Sequence, residues 1–303
     1  MTRRSTTNNK GDVQFMNFDQ LIENAWNEHG DHPRDVADRL AVSVPMIAAA
    51  EQVAPFARIV THVYGEHLGE CDRGIALLES LRQLPAFVDT PAVGGIVKRS
   101  VATLRYVGGN TAAVSPLPAD DQTSALAAAS SALASHGEFK RALEAYAQAV
   151  RLAGALRQGS PAFRALAIGG NNLSAALEEK PRRDTEETAG MVAAAQSGLA
   201  FWRMAGTWLE EERAHYRLAR SLLAAAKPAE AVYSASECVR VCDANDAPAF
   251  ERFFAVAVLA RACRESGRTD DYKKLRVDAL DWFDRVPEEE REWCESDLAE
   301  LAY

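Results

Sequence analysis

Apolar side chains recur at intervals of three and four along residues 123–156. Leu126, Ala129 and Leu133 make one stripe, and Phe139, Ala142, Tyr146, Ala149 and Leu152 make a second. This spacing puts each set on one face of a helix. Between the stripes stands His136-Gly137-Glu138. Gly137 falls where the first helix must stop, since glycine accepts the left-handed conformation of a helix end. Small residues at Ala142 and Ala149 allow close approach, while Phe139 and Tyr146 fill the space around them. The stretch predicts an antiparallel helical hairpin.

The pattern extends in both directions. Phe18 to Trp26 reads as an amphipathic helix ending near Gly30, and Pro33 starts a second helix through Val36, Leu40 and Val42. Asp35 to Pro45 has the look of half a helix-turn-helix, but Met46-Ile-Ala-Ala-Ala-Glu offers no basic recognition helix after it. From Pro55 to Leu84 the glycine, the position two later and the small residue three beyond it recur as Gly69, Cys71 and Gly74. Gly94 to Val107 supplies another short helix. Downstream, Ser160-Pro161 opens a helix over Ala165 to Leu177. Asp184-Thr-Glu-Glu187 matches a capping box for its partner, which runs through Leu199 and Trp202. Further hairpins run from Glu212 to Val241 and from Phe253 to Trp282. Pro287 and Glu288 to Glu290 start a last helix with Trp293 and Leu298, a terminal cap on the array. The expected class is all-α.

Turn positions 137, 226 and 267, with another hairpin around Asn171, set a mean period near 43 residues. On these residues the chain resembles tetratricopeptide-repeat proteins over most of 123–285 and, more weakly, 55–84, with a period longer than that family's roughly 34. The resemblance implies helical hairpins stacked as a right-handed superhelix, an α-solenoid. In such arrays the first helix of each repeat lines the concave, ligand-binding side. We aligned the first helices on the small residues Ser130, Gly170, Ala219 and Ala260. The implied groove positions are then Arg164, Asn171, Arg213, Tyr216, Arg217, Arg220, Phe254, Arg261 and Arg264. Arg213, Arg217 and Arg220 lie at spacings of four and three, so one helical face displays all three. Arginine suits bidentate capture of carboxylate or phosphate. Arg213 and Arg217 also match where some family members hold a peptide's terminal carboxylate. Ala127 and Ser131 occupy the first-hairpin positions that would help them, so the full clamp is missing. The competing reading pairs the arginines with Glu210, Glu211, Glu212 and Glu251 as solubilising surface ion pairs, each worth little.

Composition sharpens this picture. A length of 303 residues exceeds one typical core. The division we expect is a disordered extension over 1–15, a helical region with one degenerate repeat over 16–110, a linker over 111–122, and repeats with a capping helix over 123–303. Met16 is a candidate natural start. A net charge of −9 argues against general nucleic-acid or anionic-membrane binding. Residues 1–15 lack the apolar core of a signal peptide, and no stretch has the roughly 18–20 apolar residues of a membrane span. Five scattered cysteines fit reduced, buried thiols in a cytoplasm, here a bacterial one.

Catalytic and metal motifs are not evident. His62 and His67 are five apart, unlike a His-Glu-x-x-His pair, and His29 and His32 fall in an expected solvated loop. Cys238 and Cys242 share a helical face but have no second pair to complete a zinc site. Phosphate-loop, dinucleotide and nucleophile-elbow glycine patterns do not occur, and no pair of carboxylates stands out as buried. Trp202, Trp208, Trp282 and Trp293 read as core. The expected function is a cofactor-free, non-catalytic adaptor that binds a protein or peptide with an acidic segment. The alternatives are a peptide-responsive regulatory sensor, an enzyme on a helical scaffold, and self-association through exposed hairpin faces.

Overall fold

The computed structural model describes residues 17–302. The expected extension over 1–15 and the candidate start at Met16 lie outside the described residues. Among those described there is no strand, and no helix is long and apolar enough to cross a membrane. The chain opens with α1 (Phe18–Glu28) and α2 (Pro33–Val42). The first carries a capping box in which Asn17 and Gln20 bond each other's backbone N–H at 2.9 and 3.0 Å. After α2 come two 3₁₀ turns, Val44–Met46 and Ala50–Gln52, where a recognition helix would have to stand. Then follow α3 (Val53–His62), a π-helical turn (Val63–His67), α4 (Cys71–Ser80) and α5 (Ile96–Val107).

Four longer hairpins complete the chain: α6 (Ala119–Ser135) with α7 (Phe139–Ala153), α8 (Ala162–Glu179) with α9 (Thr185–Ala205), α10 (Trp208–Ala224) with α11 (Pro228–Ala244), and α12 (Ala249–Glu265) with α13 (Thr269–Phe283). Each helix packs on its hairpin partner, and the first helices also pack in succession, α6 on α8, α8 on α10 and α10 on α12. A 3₁₀ segment (Glu288–Cys294) and α14 (Glu295–Glu300) end the described chain.

Three hairpins turn in the same way. At Gly137 the backbone is left-handed (φ 75°), its N–H donates to Ala134 O at 3.0 Å, and Glu138 N–H donates to Leu133 O at 2.9 Å. The same two bonds close the turns at Ala226 (φ 55°) and Gly267 (φ 80°). This crossed pair satisfies carbonyls that a helix end otherwise leaves open. The hairpin of α8 and α9 differs. Its longer loop is closed by the Arg183 guanidinium, which donates to the carbonyls of Leu177, Glu178 and Lys180, and α9 starts on the Asp184–Glu187 capping box.

The small residues used to align the first helices, Ser130, Gly170, Ala219 and Ala260, are all buried. At Gly170 the packing is tightest: an added Cβ would stand 2.3 Å from the Tyr146 hydroxyl and 2.6 Å from Ala194 O. Residues 111–122 hold a 3₁₀ turn (Thr111–Val114) and the start of α6, and one apolar core runs from Phe18 to Ala262 on both sides of them. Cross-links at the same junction include Ser135 Oγ donating to Glu66 O at 2.6 Å and Arg141 donating to the carbonyls of Tyr106 and Val107, both at 2.9 Å. A smaller core of Phe253, Val256, Ala260, Ala279 and Cys294 closes the C-terminal end. All five cysteines are buried and unpaired.

The last helix packs across α12, and its acids reach arginines on α10 and α12. One expectation needs correction. Trp293 is 69% exposed and belongs to a cleft, not to the core.

Candidate functional site

The helical register places Arg213, Tyr216, Arg217 and Arg220 on one face of α10. The other expected groove residues are Arg164 and Asn171 on α8, and Phe254, Arg261 and Arg264 on α12. Asn171, Arg213, Tyr216, Arg217 and Phe254 line one cleft of about 500 Å³, together with Glu212, Phe250, Glu251, Glu290 and Trp293. Tyr216, Phe250 and Phe254 form its aromatic wall, with Phe254 edge-on to both rings at centroid distances of 5.6 and 5.0 Å. Arg164 stands apart. It lines a second cleft with Arg58 and Arg99, pairs with Glu210 at 3.1 Å and lies over the Trp202 ring at 5.0 Å.

Every expected groove arginine meets an oxygen acceptor. Arg213 reaches both oxygens of Glu251, whose side chain is only 7% exposed, while Arg213 itself stays 56% exposed. Arg217 Nη1 donates to Glu178 Oε2 at 2.6 Å, and its buried Nε has no partner among the described residues. Glu178 also accepts from Ser221 Oγ at 2.6 Å and lies 3.7 Å from Arg220. Of the acids proposed from sequence as partners, Glu210 and Glu251 pair with groove arginines, and Glu211 pairs with Arg203.

Beyond the cleft, the same row is covered by the chain's own acidic end. Asp297 Oδ1 accepts from the Tyr216 hydroxyl at 2.7 Å and from Arg220 at 3.2 Å. Glu300 accepts from Arg261 at 2.7 Å and from Arg220 at 3.4 Å, and its backbone carbonyl accepts from Arg264 at 2.8 Å. Tyr272 and Arg276 hold the Leu301 carbonyl at 3.0 and 2.9 Å. Burial raises the Asp297 carboxyl above its usual range against the pull of Arg220 and the Tyr216 hydroxyl. Burial likewise raises the Tyr216 phenol, with the Asp297 charge adding to the effect. These contacts span from 25 to 81 residues of sequence, so helix periodicity carried no sign of them.

Glu212 and Glu251 overturn the reading that no carboxylates are paired and buried. Glu212 is 1% exposed, accepts from the Cys238 thiol at 2.9 Å, and sits beside Glu251 from the next first helix. Burial is the main cause that raises the Glu212 carboxyl, to about 8, against the Cys238 hydrogen bond and with the Glu251 charge adding to the rise. Cys238, a candidate half of a zinc pair from spacing alone, instead serves this carboxyl.

Comparison with models of known protein families gives no match, and comparison with curated proteins gives none either.

Proposed function

We propose that this chain is a non-catalytic protein- or peptide-binding repeat protein, a right-handed superhelix of the tetratricopeptide kind. Its first helices take an acidic or carboxylate-bearing segment along their arginine face. One observation carries the reading: the chain's own Asp297 and Glu300 lie on Tyr216, Arg220 and Arg261 of that face. Arginine suits bidentate capture of a carboxylate, and the neighbouring cleft presents two more of them, Arg213 and Arg217. There Arg213 is accessible, and Phe250, Phe254 and Trp293 offer apolar contact. Five buried, unpaired thiols fit a reducing, cytoplasmic setting.

A second reading, a ligand-responsive sensor, draws on the same segment. Residues 288–300 are an internal occupant that an external acidic peptide would displace. A catalytic role would fall on Glu212 and Glu251. Both carboxyls have structural partners, however: the Cys238 thiol for the first and the Arg213 guanidinium for the second.

The direct test uses a fluorescein-labelled, glutamate-rich peptide with a free C-terminal carboxylate, followed by anisotropy. Arg213→Ala/Arg217→Ala is expected to weaken binding by about tenfold or more, equivalent to about 1.4 kcal/mol, with unchanged helicity. Equal affinity for the wild type and the double variant would sink the proposal.

A further inference from the structure

Three histidines converge away from the arginine face. His29 follows α1, His62 ends α3 and His67 ends the π-helical turn. Their ring centroids form a nearly equilateral triangle, 4.8 Å for His29–His62, 4.9 Å for His29–His67 and 4.8 Å for His62–His67. One nitrogen from each ring lies within 4.8 Å of the others. His62 Nε2 and His67 Nε2 are 3.1 Å apart. That approaches the edge of about 3.3 Å in a tetrahedron whose zinc–nitrogen bonds are about 2.0–2.1 Å.

The outer partners orient two of the rings. His29 Nδ1 lies 2.6 Å from the Trp26 carbonyl, which can only accept, so Nδ1 carries the hydrogen and Nε2 keeps its lone pair. His62 Nδ1 lies 3.2 Å from Glu66 Oε2, which imposes the same tautomer. A carbonyl or carboxylate behind an imidazole is the usual arrangement for a metal-ligating histidine. Contact with the Trp26 ring, edge-on at 5.3 Å for His29 and tilted at 5.2 Å for His62, accounts for ring packing but not for these tautomers.

The π turn explains why the spacing of five conceals the pair. In an α-helix, positions five apart lie about 140° apart around the axis. Here the Leu68 N–H reaches back to Val63 O at 3.0 Å, an i→i+5 bond that widens the turn and brings His67 under His62. Such turns recur at functional sites.

We propose that His29, His62 and His67 bind one zinc-class divalent ion through their Nε2 atoms. The ion ties the end of α1 to the π turn and keeps a fourth position for water or an external ligand. Three imidazoles select zinc, cobalt, nickel or copper over magnesium and calcium, which prefer oxygen ligands.

The test is calorimetric titration of the chelator-treated full-length chain with zinc, with cobalt absorption as the geometric readout. One equivalent is expected to bind, with the strong visible bands of tetrahedral cobalt. His29→Gln and His67→Gln are each expected to lose at least about tenfold in affinity, and Glu66→Gln about 10–100-fold as an outer partner. His32→Gln is expected to bind as the wild type does, because His32 is exposed and lies outside the triangle. Circular dichroism of the metal-free variants checks folding. His29 stands at a helix end, so its variant carries the test if His67→Gln misfolds. No zinc binding by the wild type, or undiminished binding by His29→Gln, would overturn the proposal.

Discussion

Glu212 gives the arginine face a pH dependence of its own. Its carboxyl keeps a proton in the folded protein up to about pH 8, whereas an unfolded glutamate loses it near 4.5. Between those values the native state binds more protons than the unfolded state, so stability falls as pH rises. The contribution of Glu212 is fully present below about 4.5 and is lost as pH passes through about 8. Glu212→Gln preserves shape and an acceptor for Cys238 while removing the titration. The variant is expected to gain stability over the wild type between pH 5 and pH 8.5 in urea unfolding. A difference between the two that does not change with pH would show that Glu212 is ionised in the fold. His215 works in the opposite sense: burial, then the Arg203 charge, lowers it to about 4, so its penalty grows as pH falls below the ordinary histidine value. Neither group was legible from sequence. Glu212 meets Cys238 across 26 positions and His215 meets Ser234 across 19, and only the packing of helices brings them together.

At the scale of single hairpins, far more was readable, because the determinants are local. The turns at Gly137, Ala226 and Gly267 and the capping box at Asp184 depend on residues within five positions of one another. An added Cβ at Gly137 meets nothing within 4 Å, so the cost of a side chain there comes from the left-handed backbone alone. Gly137→Val is expected to cost about 1 kcal/mol or more. Ala226 already bears that strain at φ 55°. Ala226→Gly is expected to stabilise by about 0.5–1 kcal/mol. Thermal denaturation of the two variants should therefore move in opposite directions. A shift of the same sign in both would refute the shared turn geometry. The π turn is the local element that periodicity missed. Its wider register realigns His62 with His67.

For the whole molecule, the small residues Ser130, Gly170, Ala219 and Ala260 are all buried on α6, α8, α10 and α12, helices that pack in succession. Five of the nine expected groove residues line one cleft. The pattern did not reveal the destination of the acidic end. Docking of 288–300 on α12 is a long-range match between charges, and sequence alone supplied both partners without pairing them. Asp297 and Glu300 already occupy part of the arginine face that we propose takes carboxylates. The measurement that tests this most directly is the affinity of Asp297→Asn/Glu300→Gln for the labelled glutamate-rich peptide, relative to the wild type. Removing the internal carboxylates should release Arg220 and Arg261 and tighten binding by about tenfold. Unchanged or weakened binding in a variant of normal helicity would contradict the account.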